Sequence, residues 1–210
     1  MQVISLGGSL LIPDKRNKEY TEQFIRLLEQ PAILVCGGGA IARDAMRQSF
    51  TQKENDSLGI TATRLNALYV LTELLHAKDK VCSHVITQSI LEPGYDFYCA
   101  GGFIPGRTTD DVAVQLAIAA DAKQVLNLTV VDGVYDKDPT LPGAVKYETM
   151  AWDDYLRLFC EHQAGMHAPF DPVAAKRAQQ HGITVHVLDG TDLEHVKAAL
   201  RAEHVGTILS

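Results

Sequence analysis

The sequence predicts an α/β protein with a mostly parallel central sheet covered by helices on both faces. Three observations carry this. Short apolar runs of strand length alternate along the chain with stretches of helical periodicity. Three of those runs end directly in glycines, at Gly7–Gly8, Gly37–Gly38–Gly39 and Gly101–Gly102. A fourth, within NLTVVDGVYDKDP from Asn127 to Pro139, runs into a loop holding Asp132, Asp136 and Asp138. Open α/β sheets bind their ligands outside the strand C-termini, so these turns and this loop should share one rim.

In order along the chain, Val3 to Leu6 reads as a strand that stops at Gly7. Residues 18–29 carry a helical pattern (Tyr20, Phe24, Leu27, Leu28) that ends before Pro31. Ala32 to Cys36 is a second strand, and a helix runs from about Ile41 to Gln48. Residues 58–77 form a long helix with Leu58, Ala62, Leu65, Tyr69, Thr72 and Leu75 on one stripe. Strands follow near 81–86 and 96–100, then a helix from Thr109 to Ala122 and a strand at 123–129. A helix near 151–160 precedes another that starts at Asp171–Pro172, where Asp suits the N-cap and Pro the first turn. Strand 183–188, helix 191–202 and a short strand from Thr207 to Leu209 complete the pattern. No linker or repeat divides the chain. One domain is expected, with an N-terminal part of about 1–122 and a C-terminal part of about 123–210.

Composition narrows the function. The chain has 210 residues, 46% hydrophobic and 21% charged, with a net charge of −7 and no basic block. That argues against a nucleic-acid or membrane-surface role. Cys36, Cys82, Cys99 and Cys160 form no CxxC pair and read as small core residues of a reduced, cytoplasmic protein. The eight histidines form no HxxxH pattern, and no metal site is assigned to them. No apolar run approaches a membrane span, and the first residues lead straight into a strand rather than a leader.

Glycine lets backbone N–H groups approach a ligand, and a following helix adds its positive N-terminal end. One Gly-Gly pair is more often a tight turn; three at one sheet edge suggest a groove lined for several phosphates. There is no GxxxxGK[ST], so the groove is not a P-loop. Gly37 to Ala42 satisfies GxGxx[GA], but the acidic residue about 20 positions on, Asp56, precedes a long helix instead of ending a strand. A dinucleotide site is therefore disfavoured. Transfer of a phosphoryl group needs positive charge on the moving group. Lys176, near the start of the Asp171–Pro172 helix, and Arg43, four residues after Gly39, are the candidates.

Seven segments, VISLGGSLL, CGGGAIARD, DSLGITATRLNA, GGFIPGRTTDDVA, NLTVVDGVYDKDP, FDPVAAKRA and HVGTIL, occur in order from Val3 to Leu209. In these the chain resembles the archaeal-type uridylate (UMP) kinases of the amino-acid-kinase superfamily. The resemblance implies a three-layer α/β/α sandwich and transfer of the ATP γ-phosphoryl to UMP without a covalent enzyme intermediate. It implies that Gly7, Gly8 and Ser9 contact the transferring phosphates. Gly38, Gly39 and Arg43 would hold the region between donor and acceptor. Asp56 would accept from the ribose hydroxyls of UMP, with Phe103, Pro105, Gly106, Arg107, Thr108 and Thr109 around the rest of that nucleotide. Thr129, Tyr135 and Asp138 would line the ATP site. Asp132 would orient the catalytic cation, Lys176.

The resemblance also implies Mg2+ accompanying ATP, partners limited to ATP and UMP, and a homohexamer built from dimers. The apolar helix 58–77, with Leu68, Tyr69, Val70 and Leu71, offers the contact. Two departures stand out. Many relatives carry a lysine two residues before the first Gly-Gly pair, where this chain has Ser5, and some instead carry one just after the GGG turn, here Ala40. The missing charge then falls to Lys15, Arg43 or Arg107. Two other readings stay open: a related small-molecule kinase with another acceptor, and a nucleotide-binding or storage protein that does not turn over.

Overall fold

The computed structural model describes residues 1–11, 15–46, 51–161 and 168–210. The side chains of Lys15 and Cys160, and the part of the second helix expected to reach Gln48, lie outside the described residues. The N-terminal elements are β1 (Gln2–Leu6), α1 (Lys15–Leu27), β2 (Ala32–Cys36), α2 (Gly39–Met46), α3 (Gln52–Ala77), β3 (Val81–Ile86), β4 (Phe97–Ala100) and α4 (Thr109–Ala119). Next come β5 (Gln124–Thr129), β6 (Val134–Tyr135), β7 (Lys146–Tyr147), β8 (Thr149–Met150) and α5 (Trp152–Leu156), which continues into a π turn at Arg157–Glu161. The last elements are α6 (Pro172–Gln180), β9 (Thr184–Asp189), α7 (Leu193–Leu200) and β10 (Thr207–Leu209).

Eight strands form one sheet in the order β3-β4-β2-β1-β5-β9-β10-β8. Every neighbouring pair is parallel except β9 and β10. From β1 the chain steps outward to β2, then to β3 and β4, and returns across β1 to β5 before moving out to β9. Connections therefore leave β1 and β5 in opposite directions, which opens a crevice between their C-terminal ends.

Two cores explain why the strands read as continuous apolar runs. Ile33, Leu34 and Val35 of β2 have no exposed surface, as expected for a strand covered on both faces. Val3, Ile33 and Val125 meet the α4, α5 and α6 side, where Val112, Tyr155 and Ala175 pack. Ile4, Leu34 and Leu126 meet α1, α3 and α7 through Phe24, Val70 and Val196. This is the α/β sandwich with a mostly parallel sheet that the sequence predicts.

Helix α3 differs from its expected form in two ways. It begins at Gln52, because Thr51 and Glu54 form a capping box that the apolar pattern alone does not reveal. Its buried face holds Ala62, Thr63, Asn66, Ala67, Val70, Leu71 and Leu74, whereas Leu58, Leu65, Leu68 and Leu75 are exposed. The helix is apolar nearly all round, so periodicity could not choose the buried side. Toward the N-terminus the buried side holds the small and polar Ala62, Thr63, Asn66 and Ala67 because it seats glycine turns, and Val70, Leu71 and Leu74 pack on the core. Asn66 Nδ2 donates to the Gly37 carbonyl at 2.7 Å, and Gly102 N–H donates to Thr63 Oγ1 at 2.6 Å.

Candidate active site

The first two glycine turns are packed backbone against backbone. Gly39 has φ +60°, and a Cβ there would stand 2.3 Å from the Gly8 carbonyl oxygen. Gly8 in turn faces the Gly39 amide, where a Cβ would stand at 2.0 Å. No L side chain fits either position, so this contact alone requires glycine. It joins the end of β1 to the start of α2 and puts the N-terminal turn of α2 at the rim.

Beside it lies a hollow of about 440 Å³. Its lining brings together Gly38, Asp56, Pro105, Gly106, Arg107, Thr108 and Thr109, all expected around one nucleotide, and adds Gln52, Thr63 and Gly102. Phe103 is not in that lining; its ring packs on the core and its carbonyl accepts from Arg64 Nη2 at 3.3 Å. Arg64 Nε also donates to the Gly102 carbonyl at 3.0 Å, so α3 holds the third glycine turn from two neighbouring residues. Asp56 accepts from Gln52 Nε2 at 2.8 Å one helical turn earlier and keeps its other oxygen for a ligand. Thr108 caps α4 by accepting from Asp111 N–H, which brings a helix N-terminus to the same hollow. A larger groove of about 670 Å³ beside β8 is lined by the Asp154–Arg157 pair with Tyr147, Met150 and Leu158, and among the described residues it lacks this amide-rich set.

Under the crevice, Asp110 ties three elements together. Ser5 Oγ donates to its Oδ1 at 3.2 Å, and the Asp171 N–H at the start of α6 donates to its Oδ2 at 3.0 Å. Its carboxyl is closely surrounded by protein although part of the residue reaches solvent. That burial, with the Asp171 carboxylate adding to it, pushes its pKa up to about 6 against the hydrogen bonds that pull it down. Next to it, fully buried Asp111 accepts from Arg177 Nε at 2.7 Å and from Gln115 Nε2 at 2.9 Å, and stands 3.9 Å from Arg107 Nε. The first turn of α4 thus fixes the start and the pitch of α6, and with it the position of Lys176.

Lys176 itself is exposed and has no ion-pair partner among the described residues. Asp132, expected behind it, instead accepts from Lys146 Nζ at 3.0 Å and from Tyr135 Oη at 2.9 Å. Burial works to raise the Asp132 pKa, but these hydrogen bonds hold it below the usual carboxylate range. The cation at Asp132 is Lys146, because the β6–β7 hairpin pairs Tyr135 with Lys146 and folds that lysine back onto the loop. Asp138 accepts from the Thr140 amide and hydroxyl, at 2.9 and 2.7 Å, in a local turn. Tyr135 lines a narrow cleft of about 50 Å³ with Val131, Gly133 and Phe159; Thr129 and Asp138 do not line it. Arg43 is exposed, its Nη1 3.5 Å from Ser9 Oγ, so it bridges the two glycine turns. Gly7 N–H is already committed to the Leu128 carbonyl at 2.8 Å, which ties β1 to β5 and removes that amide from phosphate binding.

Asp110, Lys146, Thr63 and Arg64 are the site residues that sequence reasoning missed. Asp110 and Asp111 look like ordinary acidic residues in a first helical turn, where they favour the dipole. Only its partners Ser5 and Asp171 mark Asp110 as special, and they are 105 and 61 residues away.

With this geometry in view, comparison with known proteins identifies the class. Residues 1–189 match the model of the amino acid kinase family, and the chain belongs to that family. It is 36% identical to the uridylate kinase of Methanospirillum hungatei, covering 99% of this chain and 94% of that protein. It is 32% identical to the uridylate kinase of Archaeoglobus fulgidus over 99% of both chains. The crystal structure of the Archaeoglobus fulgidus enzyme superposes with a TM-score of 0.85 at 30% identity, each chain covered completely.

Proposed function

We propose that this chain is an ATP-dependent uridylate kinase that transfers the γ-phosphoryl of ATP to UMP and releases UDP and ADP. The observation that carries the reading is the hollow in which Gly38, Asp56 and the α4 N-terminus meet, directly beside the Gly8–Gly39 contact at the sheet's switch point. A nucleoside monophosphate fits it: Asp56 faces ribose hydroxyls, which a carboxylate can accept from in pairs, and the amides and helix ends face a phosphate. The relatives named as uridylate kinases support UMP as the acceptor.

In this reading a UMP phosphate oxygen attacks the γ-phosphorus and the bond to the β–γ bridging oxygen breaks. The chain's work is positioning and charge. Gly8, Ser9, Gly38, Gly39 and Arg43 hold the phosphates in line across the rim. Lys176 neutralises charge developing on the transferred group. Tyr135, Thr129 and Asp138 border the ATP side. Asp132, with Lys146, keeps the loop after β5 in place. Mg2+ is expected with ATP, where it neutralises the β and γ oxygens. Residues 1–122 then supply the acceptor side and 123–210 the donor side. The exposed Leu65, Leu68 and Leu75 of α3 form the contact of a dimer from which a hexamer is built. The reaction belongs to the cytoplasm, where both nucleotides are found, and no described helix is long and apolar enough to cross a membrane.

The test is product analysis with ATP and Mg2+ against UMP, CMP, AMP and no acceptor, beside thermal melts with the same panel. UMP alone should yield a diphosphate. At a hundredfold excess over its Kd it should raise the melting temperature by roughly 5–10 °C. Selective UMP stabilisation without UDP would move the chain to a non-catalytic nucleotide binder. A diphosphate formed only from another acceptor would overturn the substrate.

A further inference from the structure

A second cluster lies on the outer edge of the sheet, separated from β1 by β4 and β2. Strand β3 is irregular there. Val81 pairs with Phe97 and Val85 with Cys99, so four steps along β3 span two along β4. The extra residues fall within Cys82–Ser83–His84, and bulges of this kind re-aim side chains beside sites. They turn Cys82 and His84 toward each other and toward Glu92 in the β3–β4 connection. His84 Nε2 stands 3.9 Å from Cys82 Sγ and 3.6 Å from Glu92 Oε1, and the three ligand atoms all lie within 4.8 Å of one another.

We infer that Cys82, His84 and Glu92 form a binding site for a borderline divalent cation of the Zn2+ type. Around a tetrahedral Zn2+ the sulfur–nitrogen and nitrogen–oxygen separations are roughly 3.6 and 3.3 Å. The observed spacings exceed these by a few tenths of an ångström, a gap that rotation of an exposed imidazole closes. The donor set is one thiolate, one imidazole and one carboxylate. It suits Zn2+ or Co2+ and not Mg2+, which takes oxygen ligands. Cys82 is only 1% exposed, while the side chains of His84 and Glu92 are 55% and 56% exposed, so the thiol is the inner ligand and the other two face solvent, where water takes the fourth position. The loop ligand is already held in place: Tyr98 Oη donates to the Glu92 carbonyl at 2.6 Å and to the Tyr95 carbonyl at 3.2 Å. These bonds fix the backbone that carries Glu92 and leave its carboxylate free to turn toward an ion. Occupancy would clamp the β3–β4 connection to an unpaired sheet edge, in a place unconnected with the nucleotide rim.

The test is titration of chelator-washed protein with Co2+. One equivalent should produce near-ultraviolet sulfur-to-cobalt charge transfer together with strong visible bands of a tetrahedral ion, and Zn2+ but not excess Mg2+ should remove both. Cys82→Ser should abolish the charge transfer. Because that thiol is buried and its loss can disturb folding, the exposed His84→Ala is the control variant, and it should weaken Co2+ binding by at least about tenfold. Its melting temperature in chelator and its nucleotide binding should stay as in the parent. Absence of a charge-transfer band in the parent, or unchanged Co2+ affinity in His84→Ala, would reduce the cluster to a His84–Glu92 ion pair beside a core thiol.

Discussion

The acceptor hollow and the donor loop are built in opposite ways. The hollow is framed by backbone: Gly38, Gly102 and Gly106 line it beside a helix N-terminus, and Thr63, Arg64 and Asn66 of α3 hold the glycine turns through hydrogen bonds to main-chain atoms. Its shape is complete in the free protein. The donor loop is made of side chains already satisfied by each other, Asp132 by Lys146 and Tyr135, and Asp138 by Thr140. On the proposed function, ATP must exchange those contacts or be read through them. The acceptor side therefore depends on steric fit that no side chain can replace. The donor side depends on charges that can be removed one at a time.

The largest effect should come from breaking the backbone contact. Gly39→Ala forces a left-handed backbone onto alanine and drives its Cβ into the Gly8 carbonyl. A loss of about 3 kcal/mol or more is expected, a fall in melting temperature of roughly 6–12 °C with UMP stabilisation abolished. An unchanged melt would mean the two turns separate at little cost, and the contrast with the donor loop would go.

Next comes the cation on the donor side. Lys176→Ala should lower kcat by about 10²–10³ and leave the melting temperature in place, since the side chain is exposed. Lys146→Ala should cost less, because it loosens a loop without removing the group that meets the phosphate. The reverse order would make the lysine seen on Asp132 the catalytic one and remove Lys176 from the mechanism.

Much of this division was legible in the sequence, for a physical reason. Strand ends followed by glycines are local signals, and parallel topology brings such ends to one rim whatever lies between. The same locality hid the rest. Helix α3 carries leucines on both sides, and only its contacts with Gly37 and Gly102 decide which side is buried. Lys146 reaches Asp132 across a two-residue ladder too short to leave an alternating pattern. β6, β7 and β8, two residues each, were invisible for the same reason. Asp110 gives no local signal beyond that of a first-turn acid, because its partners Ser5 and Asp171 lie far off in sequence.

A milder test separates affinity from turnover on the acceptor side. Asp56→Asn removes charge but keeps the shape and the Gln52 contact. Losing a charged acceptor should raise the KM for UMP about tenfold or more and leave kcat close to the parent. A fall in kcat with KM constant would place Asp56 at the reacting phosphates instead of the ribose.

The smallest effect is a shift of pH dependence where the two sides meet. With a pKa of about 6, Asp110 loses its charge as the pH falls through that value and no longer accepts fully from Ser5 and the Asp171 amide. The acid limb of kcat/KM, which reports groups of the free enzyme, should therefore lie near pH 6 while circular dichroism still reports a folded chain. Ser5→Lys places an ammonium where relatives often carry one, against a carboxylate that here has only neutral donors. An opposite charge at that distance favours ionised Asp110 and should move the limb down by about 1 unit or more. The kcat/KM at pH 5.5 should rise severalfold relative to the parent, with little change at pH 8, where both forms are ionised. A limb that stays near pH 6 in a folded Ser5→Lys protein would show that another group sets it, and Asp110 would then hold α6 to β1 without governing transfer.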